Sequence, residues 1–364
     1  MYTSQKQPSF TKHNIDAGYF SELRKEVYTV VGNLPKQRHQ IAVVKAILLP
    51  SIYIALYVFA LHSQQFLLFC FAYMCMGWML VILFLNLIHE ASHDTLFQRK
   101  KANGMYLLLF DLMGANSYMW KIRHRLHHHF TNVNGWDSDI EKSKFLKVHP
   151  QDSTKRFVRY QHLLVFLYPL FITNWFLIRD FKDFFSNKPL VRKHGAIPLQ
   201  EYLKLFFFKL FFVGYVFVVP LMSTPFNWTQ ILMAFFLLLL SAGFFALAVL
   251  LPPHVNTSNQ FPSVNSHMQL QQSWFQHQFI TTNDVIADNF ITRHVMANFN
   301  YHIAHHLFPN ISYVYAKEVT AVIKQFSLQK GLPYRSYPLA TTLINHYRLI
   351  KQNRQVPDIW NEDM

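Results

Sequence analysis

The stretch FLLFCFAYMCMGWMLVILFLNLIHEASH, residues 66–93, decides how this chain is to be read. From Phe66 to Ile88 it carries no charged side chain. A helix needs about 20 apolar residues to cross the hydrocarbon core of a bilayer, and this run supplies them. It then passes without a break into His89-Glu90-Ala91-Ser92-His93. Two imidazoles one helical turn apart therefore stand at the end of a membrane span.

Working outward, Ile41 to Leu61 predicts an earlier span, with Lys45 near its start and His62-Ser63-Gln64-Gln65 as the turn between the two. Leu205 to Met222, interrupted by Lys209, and Ile231 to Leu251 predict two more, joined by residues 223–230. The expected fold is all-α and integral to the membrane. Four transmembrane helices would form two hairpins beneath a cytoplasmic helical cap. Met105–Met119 and Gln161–Ile178 are weaker apolar segments, expected to lie as helices at the interface. No linker divides the chain. The expected organisation is a cytoplasmic N-terminal segment, 1–40, a membrane domain, 41–330, and a cytoplasmic C-terminal segment, 331–364.

Composition agrees. Of the 364 residues, 51% are hydrophobic and only 15% charged, against roughly 25% charged in an ordinary soluble domain. The net charge of +15 comes without a nucleic-acid motif, so an anionic membrane surface is the expected partner and nucleic acid is not. Neither short turn contains Lys or Arg. The stretch between the hairpins holds Arg99, Lys100, Lys101, Lys121, Arg123, Arg125, Lys142, Lys144, Lys147, Lys155, Arg156 and Arg159. That bias predicts that both termini and this loop face the cytoplasm. The polar first forty residues offer no signal-peptide core. Cys70 and Cys75 lie in one apolar run and read as buried thiols.

Histidine carries the chemistry. His89 and His93 form H-x-x-x-H. His124, His127 and His128 form H-x-x-H-H, and so do His302, His305 and His306. At this histidine content roughly one H-x-x-x-H arises by chance, but only about 0.06 of an H-x-x-H-H, so two copies are a signal. Residues i, i+3 and i+4 share a helix face, so each box is expected to aim its imidazoles at one point. Imidazole suits iron, zinc or copper, and eight imidazoles imply two ions. The other histidines, among them His62 and His346, are expected to be structural or solvated, while spacing alone leaves His129, His254 and His277 open. His129 is expected to face away from His124. Glu90, Asp94, Asp137, Asp139, Asp284 and Asp288 are candidate carboxylates to orient the imidazoles, with Asp94 first because it adjoins a ligand. Arg99, Lys100, Arg123 and Arg125 are candidates to hold a phosphate-bearing head group or an acidic electron donor.

The boxes resemble those of the membrane fatty acid desaturase family. His89 to Asp94 is similar to its first box. Trp120 to Asn132, W-K-I-R-H-R-L-H-H-H-F-T-N, is similar to its second, and Asn300 to Pro309, N-Y-H-I-A-H-H-L-F-P, to its third. The resemblance implies a diiron centre that uses O2 and two electrons to place a double bond in a fatty acyl chain, carried on CoA or on a lipid. It implies a ninth ligand near the end of the last span, for which His254 stands first and His277 second. Asn256 would reach one metal through water. Many front-end members have Gln where His302 stands and paired glycines where Ala297 and Asn298 stand. Many also carry a fused cytochrome b5 domain. No His-Pro-Gly-Gly haem signature is present, so a separate donor such as ferredoxin or cytochrome b5 is expected. Two other readings stand beside this one. A lipid hydroxylase shares the scaffold, and His89-Glu90-Ala91-Ser92-His93 also fits the H-E-x-x-H of a zinc metalloprotease.

Overall fold

The computed structural model describes residues 7–11, 16, 18–138, 147–151, 156–163, 178–185 and 196–354. Most of the predicted interfacial segment Gln161–Ile178, together with Asp139, falls outside them.

Among the described residues, four helices are long and apolar enough to cross a membrane. These are Lys36–His62, Phe66–Ser92, Leu199–Ser223 and Trp228–Leu250. Helix α1, Tyr19–Gly32, precedes them. The regular part of the first span is α2, Gln40–His62. The second is α3, Phe66–Ser92. Then follow α4, Lys100–Leu112, α5, Ser117–Phe130, and α6, Arg179–Phe185. The third and fourth spans are α7, Leu199–Ser223, and α8, Trp228–Leu250. Beyond them lie α9, Trp274–Thr281, α10, His302–Leu307, α11, Ala316–Lys330, and α12, Leu339–Gln352. Two short parallel pairs complete the described fold. β1, Ser9–Phe10, pairs with β2, Gln269–Leu270; β3, Asp284–Val285, pairs with β4, Ser336–Tyr337.

Lipid is as apolar as a leucine side chain, so spans associate through close packing rather than through water exclusion. Small residues permit it here. α3 packs along α8 and α2, with Ala42, Ala46, Ala60, Ala72, Ala234, Ala242 and Ala246 buried in the contacts. Gly77 is the closest point. A β-carbon there would stand 2.1 Å from Ser241 Oγ and 2.2 Å from the Leu238 carbonyl oxygen. Because one of those atoms is backbone, a side chain cannot be relieved by a rotamer change. Gly77→Val is expected to cost about 1–3 kcal/mol or more, read as a lowered unfolding midpoint in detergent.

Two π-helical turns interrupt the spans, Phe84–Ile88 in α3 and Gly214–Val218 in α7. Such a turn displaces carbonyls from the regular ladder, and lipid offers them no partner. Tyrosines from neighbouring helices supply one. Tyr57 Oη donates to the Tyr215 carbonyl (2.6 Å) and Tyr73 Oη to that of Val216 (2.7 Å). In α3, Asn86 Nδ2 donates to the carbonyls of Ile82 and Val295, both at 2.9 Å.

The expected single helix Met105–Met119 is instead two. Gly114 adopts φ +84° with Phe212 against it. Asn116 then caps α5 by accepting from Met119 N (2.8 Å), and Asp111 accepts from Ser117 N and Oγ (3.1 and 2.6 Å). The polar residues in that run are the joint that turns α5 back toward the end of α3.

Helix α1 packs into the fold. Leu23 and Val27 of α1 are buried with Phe275, Ile303, Val319 and Phe326.

Candidate metal centre

The histidines of the three boxes converge, but not box by box. His89, His93, His124, His128 and His305 form one cluster; His127, His254, His302 and His306 form the other. Within each, the candidate ligand atoms lie within 4.8 Å of one another. The expectation that each box aims at one point is thereby corrected, and helix geometry gives the reason. At about 100° per residue, i+4 falls about 40° to one side of i, and i+3 about 60° to the other. His124 and His128 therefore share one cluster and His127 turns to the second. His302 and His306 pair likewise while His305 crosses over. Boxes two and three each serve both clusters and tie them together.

Imidazole nitrogens face one another at short range. His93 Nε2 lies 2.9 Å from His124 Nε2, and His128 Nε2 lies 3.1 Å from it. His254 Nε2 lies 2.6 Å from His302 Nε2, 3.1 Å from His306 Nε2 and 3.2 Å from His127 Nε2. The Nε2 atoms of His89 and His305 are buried without a hydrogen-bond partner. Burial, then the neighbouring imidazoles, holds His124, His128, His302, His305 and His306 well below the usual histidine range. His254 is depressed by the same causes, and burial brings His93 down to about 4. These rings are neutral near pH 7, with lone pairs free for a cation. A neutral imidazole carries one N–H, so hydrogen bonding alone does not account for His254 Nε2 facing three other Nε2 atoms at once. A metal–nitrogen bond of roughly 2.1 Å with ligands at right angles, however, puts neighbouring donor atoms roughly 3 Å apart. The donor set fits two imidazole-bound metal ions.

In the second cluster, the outer nitrogens of His127, His306 and His254 have partners of their own. Asp137 takes His127 Nδ1 on both carboxylate oxygens, each at 3.1 Å, and accepts from Asn132 N (2.8 Å). The tight turn after α5, with Asn132 and Gly135 at φ +57° and +74°, carries Asp137 back to that place. Gln278 Oε1 lies 3.0 Å from His306 Nδ1. His254 Nδ1 faces the Thr281 carbonyl and Thr282 Oγ1, both at 3.4 Å. Asp284 accepts from Ile303 N (2.8 Å) and Tyr334 Oη (2.6 Å), fixing the start of α10. Burial pushes its carboxyl up to about 6.

Several expectations are corrected. Asp94 is exposed, and among the described residues no box histidine bonds to it; the carboxylate that meets a box histidine is Asp137, on His127 Nδ1. Asn256 is spent locally, donating to Pro252 O and Asn283 Oδ1 (both 2.7 Å) and accepting from Ser258 N (2.7 Å). His277 is buried but belongs to neither cluster and packs its ring against Phe10, 5.3 Å between centroids. Arg123 is no surface cation. It is 3% exposed and bridges Asp183 (2.6 Å) and Asp180 (3.2 Å) on α6. Arg99, Lys100 and Arg125 are exposed. His346 stands in neither cluster, as expected, and its Nδ1 lies 2.5 Å from the carbonyl of Val255. His129 does face away, its ring against Phe10. Asp288 forms a surface ion group with Arg293 and Lys317. Glu90 Oε2 is engaged by Thr95 Oγ1 (2.8 Å), Ser312 Oγ (3.0 Å) and Tyr313 N (3.3 Å). It ties the end of α3 to the chain after α10 and is not poised as a protease base.

Sequence reasoning missed Gln278. No periodic signal marks it, since it reaches His306 from a separate helix. A cleft lined by His89, Glu90, Phe299, Tyr301, His305 and Tyr313 opens beside the first cluster.

Apolar spans ending in paired histidine clusters define a membrane-embedded protein of the histidine-box class. The sequence model of the fatty acid desaturase family matches residues 64–338, and the chain belongs to that family. It is 26% identical over 271 residues to the sn-1 linoleoyl-lipid 6-desaturase of Synechocystis sp., covering 73% of this chain and 75% of that protein. It is 24% identical to the acyl-lipid (8-3)-desaturase of Physcomitrium patens, over 90% of this chain and 70% of that one. With the acyl-lipid (8-3)-desaturase of Mortierella alpina it shares 27% identity, over 82% and 69%. The chain is a fatty acid desaturase, an oxidoreductase of lipid metabolism, and the zinc metalloprotease reading is set aside.

Proposed function

We propose that the two clusters hold two irons, one on His89, His93, His124, His128 and His305, the other on His127, His254, His302 and His306. The observation that carries this is the division of nine buried or half-buried imidazoles into groups of five and four with their nitrogens converging. Bound there, two irons would supply the oxidising power that turns O2 and two electrons into the removal of two hydrogens from adjacent methylenes. The chain's own part is positional. Asp137 and Gln278 fix the tautomer and tilt of His127 and His306. Burial keeps the rings neutral and water away. The acyl chain would lie in an apolar channel within reach of both clusters.

The substrate we assign is an acyl chain carried on a lipid, on the strength of the relatives named as acyl-lipid desaturases. Electrons come from a separate donor such as ferredoxin or cytochrome b5. The exposed Arg99, Lys100 and Arg125 would meet its acidic face or the lipid phosphate. In this reading the spans form two hairpins. Residues 1–40 and 331–364 flank the 41–330 membrane domain on the cytoplasmic side, as the charge bias directs. Impermeant labelling of cysteines placed at 223–230 tests the topology, since cytoplasmic labelling there reverses it.

Purified protein is expected to carry two irons. Expression in a host of simple fatty acid profile should yield one new double bond, located by mass spectrometry in the glycerolipid fraction. One zinc without iron would overturn the metal assignment. A hydroxylated product, or a new double bond appearing only in the acyl-CoA pool, would overturn the rest.

A further inference from the structure

Outside the metal centre, the segment between β3 and α10 stands out. Ile286, Phe290 and Ile291 are 59%, 73% and 57% exposed, a cluster of large apolar side chains on a short loop. Its depth relative to the bilayer is fixed by a buried lysine. Lys45, 7% exposed, lies on α2 and donates from Nζ to the carbonyls of His294 (3.0 Å) and Arg293 (3.4 Å) and to Asn86 Oδ1 (2.7 Å). Asn86 in turn donates to Val295 O. These carbonyls belong to the turn Ile291–Val295.

Lys45 lies five residues past Gln40, the first of α2, which is about 8 Å along the axis. Around it, Ile41, Val44, Ile47 and Leu48 are 43%, 59%, 69% and 51% exposed; on a membrane span those faces meet lipid. Residues 293–295 are therefore pinned beside a lipid-facing part of the first span, and the apolar tip next to them continues that surface. Asp288, Arg293 and Lys317 form an ion group beside the tip, the arrangement of a segment seated among head groups with its apolar side chains below them.

We propose that Ile286–Ile291 is a wedge inserted into the bilayer surface, a membrane contact separate from the four spans. The occupant of this patch is lipid. The wedge leads directly into Ala297, Asn298 and Phe299, which line the cleft beside His89 and His305, so a lipid-borne chain would meet that cleft from the membrane side. The wedge itself stands without the substrate assignment.

The test uses full-length protein with Cys70 and Cys75 replaced by Ala, in proteoliposomes, after checking that this background keeps its iron. Single cysteines at Phe290, Ile291, Ile47 and Glu26 are labelled with an environment-sensitive fluorophore. Ile47 is the lipid-facing control and Glu26, exposed on α1, the aqueous one. Labels at 290 and 291 should be quenched by bromine on lipid acyl chains, at a depth of about 5–10 Å, and protected from iodide in the water. Quenching by iodide but not by brominated lipid overturns the wedge. Protection from both also overturns it, because protein would then cover the patch. Either result leaves the double-bond assay untouched.

Discussion

His254→Ala is expected to abolish desaturation, with turnover at least about 100-fold down and iron falling toward one per chain. His254 Nε2 is the hub of the second cluster, within 2.6–3.2 Å of His302, His306 and His127. Removing it takes one of four donors from that ion and spares all five of the other cluster. No box contains it. Its position is set by the loop after α8, where Asn132 Nδ2 (3.0 Å) and Asn259 Nδ2 (3.0 Å) donate to its carbonyl. His277→Ala is the matched control. It removes a ring equally buried but outside both clusters, so it should lower the unfolding midpoint while two irons remain. The measurements are iron per chain by elemental analysis and product by mass spectrometry. Two irons and full activity in His254→Ala would remove it from the ligand set.

How far the sequence could be read follows from how local each signal is. The spans were legible because an uninterrupted apolar run has few other uses. Phe66 to Ile88 and Ile231 to Leu251 match the observed helices to within a few residues. The boxes were legible because i, i+3, i+4 spacing is a property of one helix. Their division between two clusters was not, since it depends on where the other helices stand. Arg123 was misread for the same reason. On its own helix it is one of a row of cations, and only the return of α6 brings Asp180 and Asp183 to it. His346 reaches Val255 across 91 residues of sequence separation, beyond any pattern a linear reading offers. The break at Gly114–Asn116 was written in the chain, as a glycine and a capping asparagine inside an apolar run, but apolar character outweighed it.

Asp137→Asn is expected to lower iron affinity or turnover about 10–100-fold without unfolding the protein. The carboxylate takes His127 Nδ1 on both oxygens, which leaves Nε2 as the nitrogen facing His254 and makes the ring a stronger donor. Asparagine has nearly the same shape and can still accept from Asn132 N, so the turn that follows α5 should survive. What is lost is the negative charge and the certainty of tautomer, because an amide can present either its oxygen or its nitrogen to the ring. The change should therefore appear first in the metal, as iron released to a chelator at lower concentration and an altered Mössbauer spectrum, with the unfolding midpoint of the iron-free protein near wild type. Asp94→Asn, at the exposed acid next to His93, should leave iron retention unchanged. If Asp94→Asn loses iron and Asp137→Asn does not, the carboxylate that supports the centre has been assigned to the wrong side of it.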